Sequence, residues 1–175
     1  MKTSIVGLVL MLAGFGCWAQ KVSAPTGSTL SLDQAQEALD FHNKVRKDVG
    51  TRPLVWSAEL AAYAQAWADS LAKWDCAMKH RTGEFRLKRY GENIYWSSSS
   101  AGTALKASKG WYSEIEKFVY GKLTPENWSG SGHYTQMVWS TTTAVGIGLA
   151  TCEGGGTIIV ANYDPPGNYM GEKPY

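Results

Sequence analysis

Gly132-His133-Tyr134-Thr135-Gln136-Met137-Val138-Trp139 sets a polar cluster directly against an apolar run, and the rest of the chain is read outward from it. A histidine between glycine and tyrosine, followed by Thr135 and Gln136 and then by Met137, Val138 and Trp139, predicts a loop residue at the mouth of a buried strand. A lone histidine in such a place is ordinarily structural, hydrogen-bonded beneath a sheet. The other histidines and carboxylates of the chain decide whether it belongs to a site.

Beyond this stretch the sequence becomes strand-like. Ala144 to Cys152 and Thr157 to Tyr163 are rich in Val, Ile and Thr, and Glu153-Gly154-Gly155-Gly156 between them predicts a hairpin loop. The chain closes in a coil punctuated by Pro165, Pro166, Gly167, Gly171 and Pro174.

Before it, the pattern is helical. Ala35, Ala38, Leu39, Phe41 and Val45 recur at spacings of three and four, with Ser31 or Asp33 as cap and Gly50 as stop. A second helix follows Ser57, carrying Leu60, Ala61, Ala64, Trp67, Ala68 and Leu71 on one face. A third is expected over residues 103–119, where Glu114 falls beside the stripe of Leu105, Trp111, Ile115 and Phe118. Tyr90-Gly91-Glu92-Asn93 reads as a turn leading into the aromatic segment Ile94-Tyr95-Trp96, and the basic loop with Arg81, Arg86, Lys88 and Arg89 as a solvated face. Helices first and strands afterwards predict an α+β domain of segregated layers.

Residues 1–19 combine Lys2, an apolar stretch from Ile5 to Leu12 and small residues ending at Ala19, the pattern of a secretory signal peptide. That apolar stretch is too short to span a bilayer, so no integral membrane protein is expected. Cleavage after Ala19 removes Lys2 from the 17 basic residues, leaving 16 against 15 acidic, which argues against a nucleic-acid partner. Residues 20–32 read as a flexible leader and residues 33–175 as one domain. Cleavage also removes Cys17. In an oxidising compartment the two remaining cysteines, Cys76 and Cys152, pair with each other. Asn127-Trp128-Ser129 is a candidate N-glycosylation sequon at Asn127.

Six stretches occur in a telling order: Phe41-His42-Asn43-Lys44-Val45-Arg46, Cys76-Ala77-Met78-Lys79-His80, Tyr90-Gly91-Glu92-Asn93-Ile94, Trp111-Tyr112-Ser113-Glu114, the Gly132-His133 stretch, and Asn162-Tyr163-Asp164-Pro165-Pro166-Gly167-Asn168-Tyr169. Over residues 33–175 the chain thereby resembles the CAP superfamily of cysteine-rich secretory, antigen 5 and pathogenesis-related 1 proteins, and its tail resembles the pathogenesis-related 1 branch. The resemblance implies an α-β-α sandwich, with a small central antiparallel sheet between helical layers, and a cleft where His80, Glu92, Glu114 and His133 converge. It implies that His80 and His133 bind zinc or another divalent cation not required for folding, with the glutamates as site residues.

The resemblance further implies a secreted, extracellular binding protein, non-catalytic, with a defence or host-interaction role and a sterol, fatty acid or other lipid as ligand. Tyr95, Trp96, Trp111 and Tyr112 are the aromatics expected to supply an apolar groove. Two alternatives accompany that reading. One is a metal-dependent hydrolase using the same cleft, with Glu92 or Glu114 as base, although no His-Glu-x-x-His helix or Gly-x-Ser-x-Gly turn is present. The other is a precursor whose tail, residues 165–175, is released as a signalling peptide. Ser131 and Ala161 stand where the plant branch carries cysteines, so one of that branch's disulfides is missing. His42 is expected to be a packing residue apart from the four.

Overall fold

The computed structural model describes residues 20–82 and 90–175. The expected signal peptide and the residues Arg86, Lys88 and Arg89 of the basic loop lie outside the described residues.

Helix α1 (Leu32–Asp48) starts at Ser31, whose hydroxyl accepts from the Gln34 amide while the Gln34 side chain accepts from the Ser31 amide. This reciprocal cap satisfies two otherwise orphaned donors, and it settles Ser31 over Asp33 as the start. The helix buries Ala35, Ala38, Leu39, His42, Val45 and Arg46, and Gly50 turns the chain at φ +75. Strand β1 (Val55–Trp56) leads to α2 (Ala58–Lys73), capped by Ser57 and buried along Leu60, Ala61, Ala64, Trp67, Ala68, Leu71 and Ala72. Then come β2 (Gly91–Ser97), α3 (Ala104–Ser113) with a 3-10 turn over Glu114–Lys117, α4 (Pro125–Trp128), α5 (Gly132–Met137), and the hairpin β3 (Ala144–Thr151) and β4 (Thr157–Asp164).

The sheet has the order β1-β3-β4-β2. Its three long strands are antiparallel, as expected: β3 pairs with β4 from Ala144↔Asp164 to Thr151↔Thr157, and β2 pairs with β4 from Gly91↔Tyr163 to Ser97↔Thr157. The short edge strand β1 runs parallel to β3. Side chains alternate along β4, so Ile158 and Val160 join Ala64, Ala68 and Leu71 of α2, while Ile159, Ala161 and Tyr163 join a second cluster with residues of α1, α3 and α5. The sheet is therefore covered on both faces. Gly146 and Gly148 let α2 approach, since a Cβ on Gly148 would stand 2.3 Å from the Gln65 amide nitrogen. Cys76 and Cys152 are disulfide-bonded and tie the end of α2 to the end of β3.

Three local expectations change. Residues 132–137 are a helix, not the mouth of a strand, because α5 buries Tyr134, Thr135, Gln136 and Met137 together between α3 and the tail. A short apolar run does not by its periodicity distinguish the two. Gly91-Glu92-Asn93 is not a turn but the start of β2, paired residue by residue with β4. The third helix stops at Ser113 and tightens into the 3-10 turn.

Two flanking segments are fastened to this frame. In the stretch expected to be a flexible leader, the Gln20 side chain accepts from the Trp56 amide, the Thr26 carbonyl accepts from the Trp56 indole, and Leu30 is buried in the core. The tail is held by three backbone bonds, from the Leu123 amide to the Glu172 carbonyl, from the Gly171 amide to the Leu123 carbonyl, and from the Ser140 amide to the Pro174 carbonyl. Arg46 joins α1 to the segment after α5: Nε donates to the Arg52 carbonyl, Nη1 to those of Met137 and Trp139, and Nη2 to that of Thr142. Burial lowers its pKa to about 10, against an opposing influence of Tyr163. Four carbonyl dipoles make this buried cation tolerable. Among the described residues no helix is long and apolar enough to cross a membrane.

Candidate functional site

Strand β2 and the 3-10 turn each deliver one glutamate to a histidine. At the start of β2, Glu92 Oε1 accepts from His80 Nδ1 at 2.8 Å and from the Arg81 amide at 3.0 Å. At the end of α3, Glu114 Oε1 accepts from His133 Nδ1 at 2.6 Å, while Oε2 accepts from the His133 amide at 2.8 Å and from the Tyr134 amide at 3.3 Å. An ionised carboxylate can only accept, so each imidazole donates through Nδ1, and in the neutral ring the lone pair resides on Nε2.

The two pairs face one cleft of about 410 Å³, together with Asn93, Trp128 and Asn168. His80 is the open member, its side chain 61% exposed, whereas that of His133 is 31% exposed. Burial pushes the Glu114 carboxyl up. The bonds from His133 and the Tyr134 amide outweigh that effect and hold it below its usual range.

His133 is also held from behind. Asn93 Nδ2 donates to the His133 carbonyl at 3.1 Å and to the Tyr163 hydroxyl at 3.2 Å. Tyr163 contacts His42 Nε2 at 3.0 Å, and His42 Nδ1 lies 2.8 Å from the Ala38 carbonyl. A carbonyl cannot donate, so His42 donates through Nδ1 and its Nε2 accepts from Tyr163. Burial lowers the His42 pKa to about 4; the Ala38 bond opposes this and Arg46 reinforces it. His42 thus occupies the hydrogen-bonded packing position expected of it. From the tail, Asn168 Nδ2 donates to the Gly132 carbonyl and its Oδ1 accepts from Thr135, closing the cleft wall.

The donor chemistry suits a small divalent cation: two imidazoles with Nε2 lone pairs, each oriented by a carboxylate on Nδ1, follow the usual outer-shell logic of zinc sites. Among the described residues, however, no three His, Cys, Asp or Glu side chains gather around one point. The four aromatics expected to make a groove do not share one surface. Trp111 is 2% exposed and donates to the Ile94 carbonyl, Tyr95 and Tyr112 pack against the core, and Trp96 is exposed at 46%. Asn127, of the candidate sequon, sits in α4, its side chain accepting from the Thr124 amide.

A family model described as CAP, the cysteine-rich secretory protein family, matches residues 39–163. The chain belongs to the CAP family. It is 43% identical over 140 residues to pathogenesis-related protein 1C of Nicotiana tabacum, covering 80% of each chain. To a pathogenesis-related protein 1 of Arabidopsis thaliana it is 39% identical over 143 residues, covering 82% of this chain and 83% of the other. Among solved structures, NaASP2 with Zn2+ superposes with a TM-score of 0.72 at 32% identity, covering 82% of this chain and 85% of that one. BmVAL-1 superposes with a TM-score of 0.73 at 28% identity, covering 88% and 86%. The relatives place this CAP protein in the pathogenesis-related 1 branch.

Within the CAP domain, sequence reasoning missed Asn93 and Asn168 as parts of the cleft. The signals were there in Gly91-Glu92-Asn93 and in Gly167-Asn168, where Asn168 takes φ +60, a conformation asparagine tolerates better than most residues. Nothing local marked Trp128, which reaches the cleft from α4.

Proposed function

We propose that this CAP protein is a secreted, non-catalytic binding protein whose cleft holds a divalent cation between His80 and His133. The observation that carries the reading is the matched pair of imidazoles, each with Nδ1 given to its own glutamate and Nε2 left as the lone-pair nitrogen. The structure of a relative, NaASP2, solved with Zn2+ is consistent with it. The cation would supply positive charge to which an oxygen-bearing ligand group can attach. Each histidine has its own carboxylate partner, which would orient the imidazole with or without the metal, so folding would not require the cation. Secretion is supported by the family and by the Cys76–Cys152 bridge, which suits an oxidising compartment.

The ligand class we favour is a sterol, fatty acid or other lipid, in a defence or host-interaction setting. It would meet the exposed apolar residues Val119 and Tyr120, 70% and 51% exposed, in the segment whose Leu123 is bonded to Gly171 and Glu172 of the tail. Hydrolysis through the same cleft is the weaker reading, because a carboxylate that accepts three bonds and is held below its usual range, as Glu114 is, makes a poor base. Release of residues 165–175 is likewise the weaker reading, given how the tail is fastened.

Calorimetric titration of zinc into the wild type, His80→Ala and His133→Ala tests the cation. Saturable binding that either substitution abolishes is expected, and binding that survives both would refute the site. Retention of labelled sterol or fatty acid no greater than that of a denatured control would refute the lipid ligand independently.

A further inference from the structure

Strand β2 is an edge of the sheet, and its first residues alternate across it: Glu92 bonds the His80 ring on one side, while Asn93, next in the chain, bonds the His133 carbonyl on the other. Both line the cleft. Asn93 is 1% exposed, so the atom it presents to the cleft is decided by the hydrogens around it.

A run of bonds leads from the Ala38 carbonyl through His42, Tyr163 and Asn93 to the His133 carbonyl, at 2.8, 3.0, 3.2 and 3.1 Å. The carbonyls at its two ends can only accept. Neutral His42 therefore gives its one ring hydrogen to Ala38, Tyr163 gives its own to His42, and Asn93 Nδ2 gives one to Tyr163 and one to His133. Both amide hydrogens are thus committed inside the protein, and a flipped amide would set Oδ1 against the His133 carbonyl. Among the described residues nothing donates to Asn93 Oδ1, and it is not one of the buried polar atoms sealed from solvent. It is the acceptor that Asn93 offers to the cleft. Asn168 lines the same cleft with both polar atoms bonded, Nδ2 to the Gly132 carbonyl and Oδ1 to Thr135.

Two imidazoles fill half of a tetrahedral zinc site, and water fills the rest. Given a cation between His80 and His133, as proposed above, we infer that Asn93 is a third binding residue of the site, its Oδ1 accepting a hydrogen from the cation's hydration shell. Its Nδ2 meanwhile holds His133. Tyr163 and His42 are positioning residues, which act through Asn93 by keeping its acceptor turned to the cleft.

Zinc titrated by calorimetry into wild type, Asn93→Asp and Asn93→Leu separates these roles, with a circular-dichroism melt to show that each variant is folded. Aspartate keeps an acceptor and has no hydrogen for His133; leucine has neither. Asn93→Asp is expected to bind zinc as tightly as wild type or tighter, and Asn93→Leu about tenfold more weakly. Weakening in Asn93→Asp as large as in Asn93→Leu overturns the proposal and leaves the cation site standing. No zinc binding by wild type overturns both. A second measurement needs no variant: zinc added to wild type should move the side-chain carbonyl carbon resonance of Asn93, in step with saturation, further than that of Asn168, whose oxygen already accepts from Thr135. An Asn93 carbon that moves no further than that of Asn168 overturns the proposal even if neither variant folds.

Discussion

Glu114 grips His133 twice, through Oε1 on the ring Nδ1 at 2.6 Å and through Oε2 on the backbone amide at 2.8 Å. The carboxylate therefore fixes both the ring and the start of the short helix that carries it. Glu114→Gln removes the charge from this bond and should lower zinc affinity by about 10- to 100-fold while leaving the fold intact. Calorimetry beside a circular-dichroism melt reads both effects. Unchanged affinity in a folded variant would show that the carboxylate does not orient the imidazole for metal.

Acid should unfold the protein in two distinguishable ranges. His42 has its pKa lowered by burial from 6.5 to about 4, so the stability it contributes is present above pH 6.5 and is lost as pH falls towards 4, on the order of 3 kcal/mol in all. Glu114, also lowered, loses its contribution only as pH falls below the ordinary 4.5. Urea unfolding of wild type and His42→Gln across pH 7 to 4 isolates the first range. The difference in stability between them should shrink as pH falls; a constant difference would mean that His42 is not buried in its neutral form.

The Cys76–Cys152 bridge spans 76 residues of sequence. Closing a loop of that size in the unfolded chain stabilises the native state by about 4 kcal/mol. Replacing both cysteines by serine should lower the unfolding free energy by that order and leave zinc binding intact, because neither cysteine lines the cleft.

Gly148→Ala tests the closeness of α2 to the sheet. Its Cβ would meet backbone atoms of Gln65 and Ala64, which cannot swing aside as a side chain would. A loss of about 3 kcal/mol or more is expected by chemical denaturation. Tolerance of alanine there would mean that α2 can lift from β3 at little cost.

Much of the frame is legible in the residues themselves. Helices α1 and α2 have a stop or cap residue and an apolar stripe at helical spacing within their own sequence, and β3 and β4 declare themselves by β-branched runs around three glycines. The two cysteines outside the expected signal peptide admit one pairing, and Cys76 is bonded to Cys152. His80, Glu92, Glu114 and His133 follow from the family resemblance, and the structure brings them to one cleft.

What only the tertiary structure decided depends on partners far along the chain. Residues 132–139 have no periodicity of their own strong enough to choose between helix and strand, and the choice falls to α5 because burial between α3 and the tail accommodates four of its residues at once. Arg46 looks like a surface cation in a helix until the carbonyls of residues 137, 139 and 142 close around it, and His42, whose tautomer is set by the Ala38 carbonyl one turn back, finds the donor for its Nε2 only in Tyr163, 121 positions away. Local sequence encodes caps, stripes and turns because those energies are local. The pairing of each imidazole with its carboxylate, and the run of bonds from His42 through Tyr163 and Asn93 to His133, exist only where the folded layers meet.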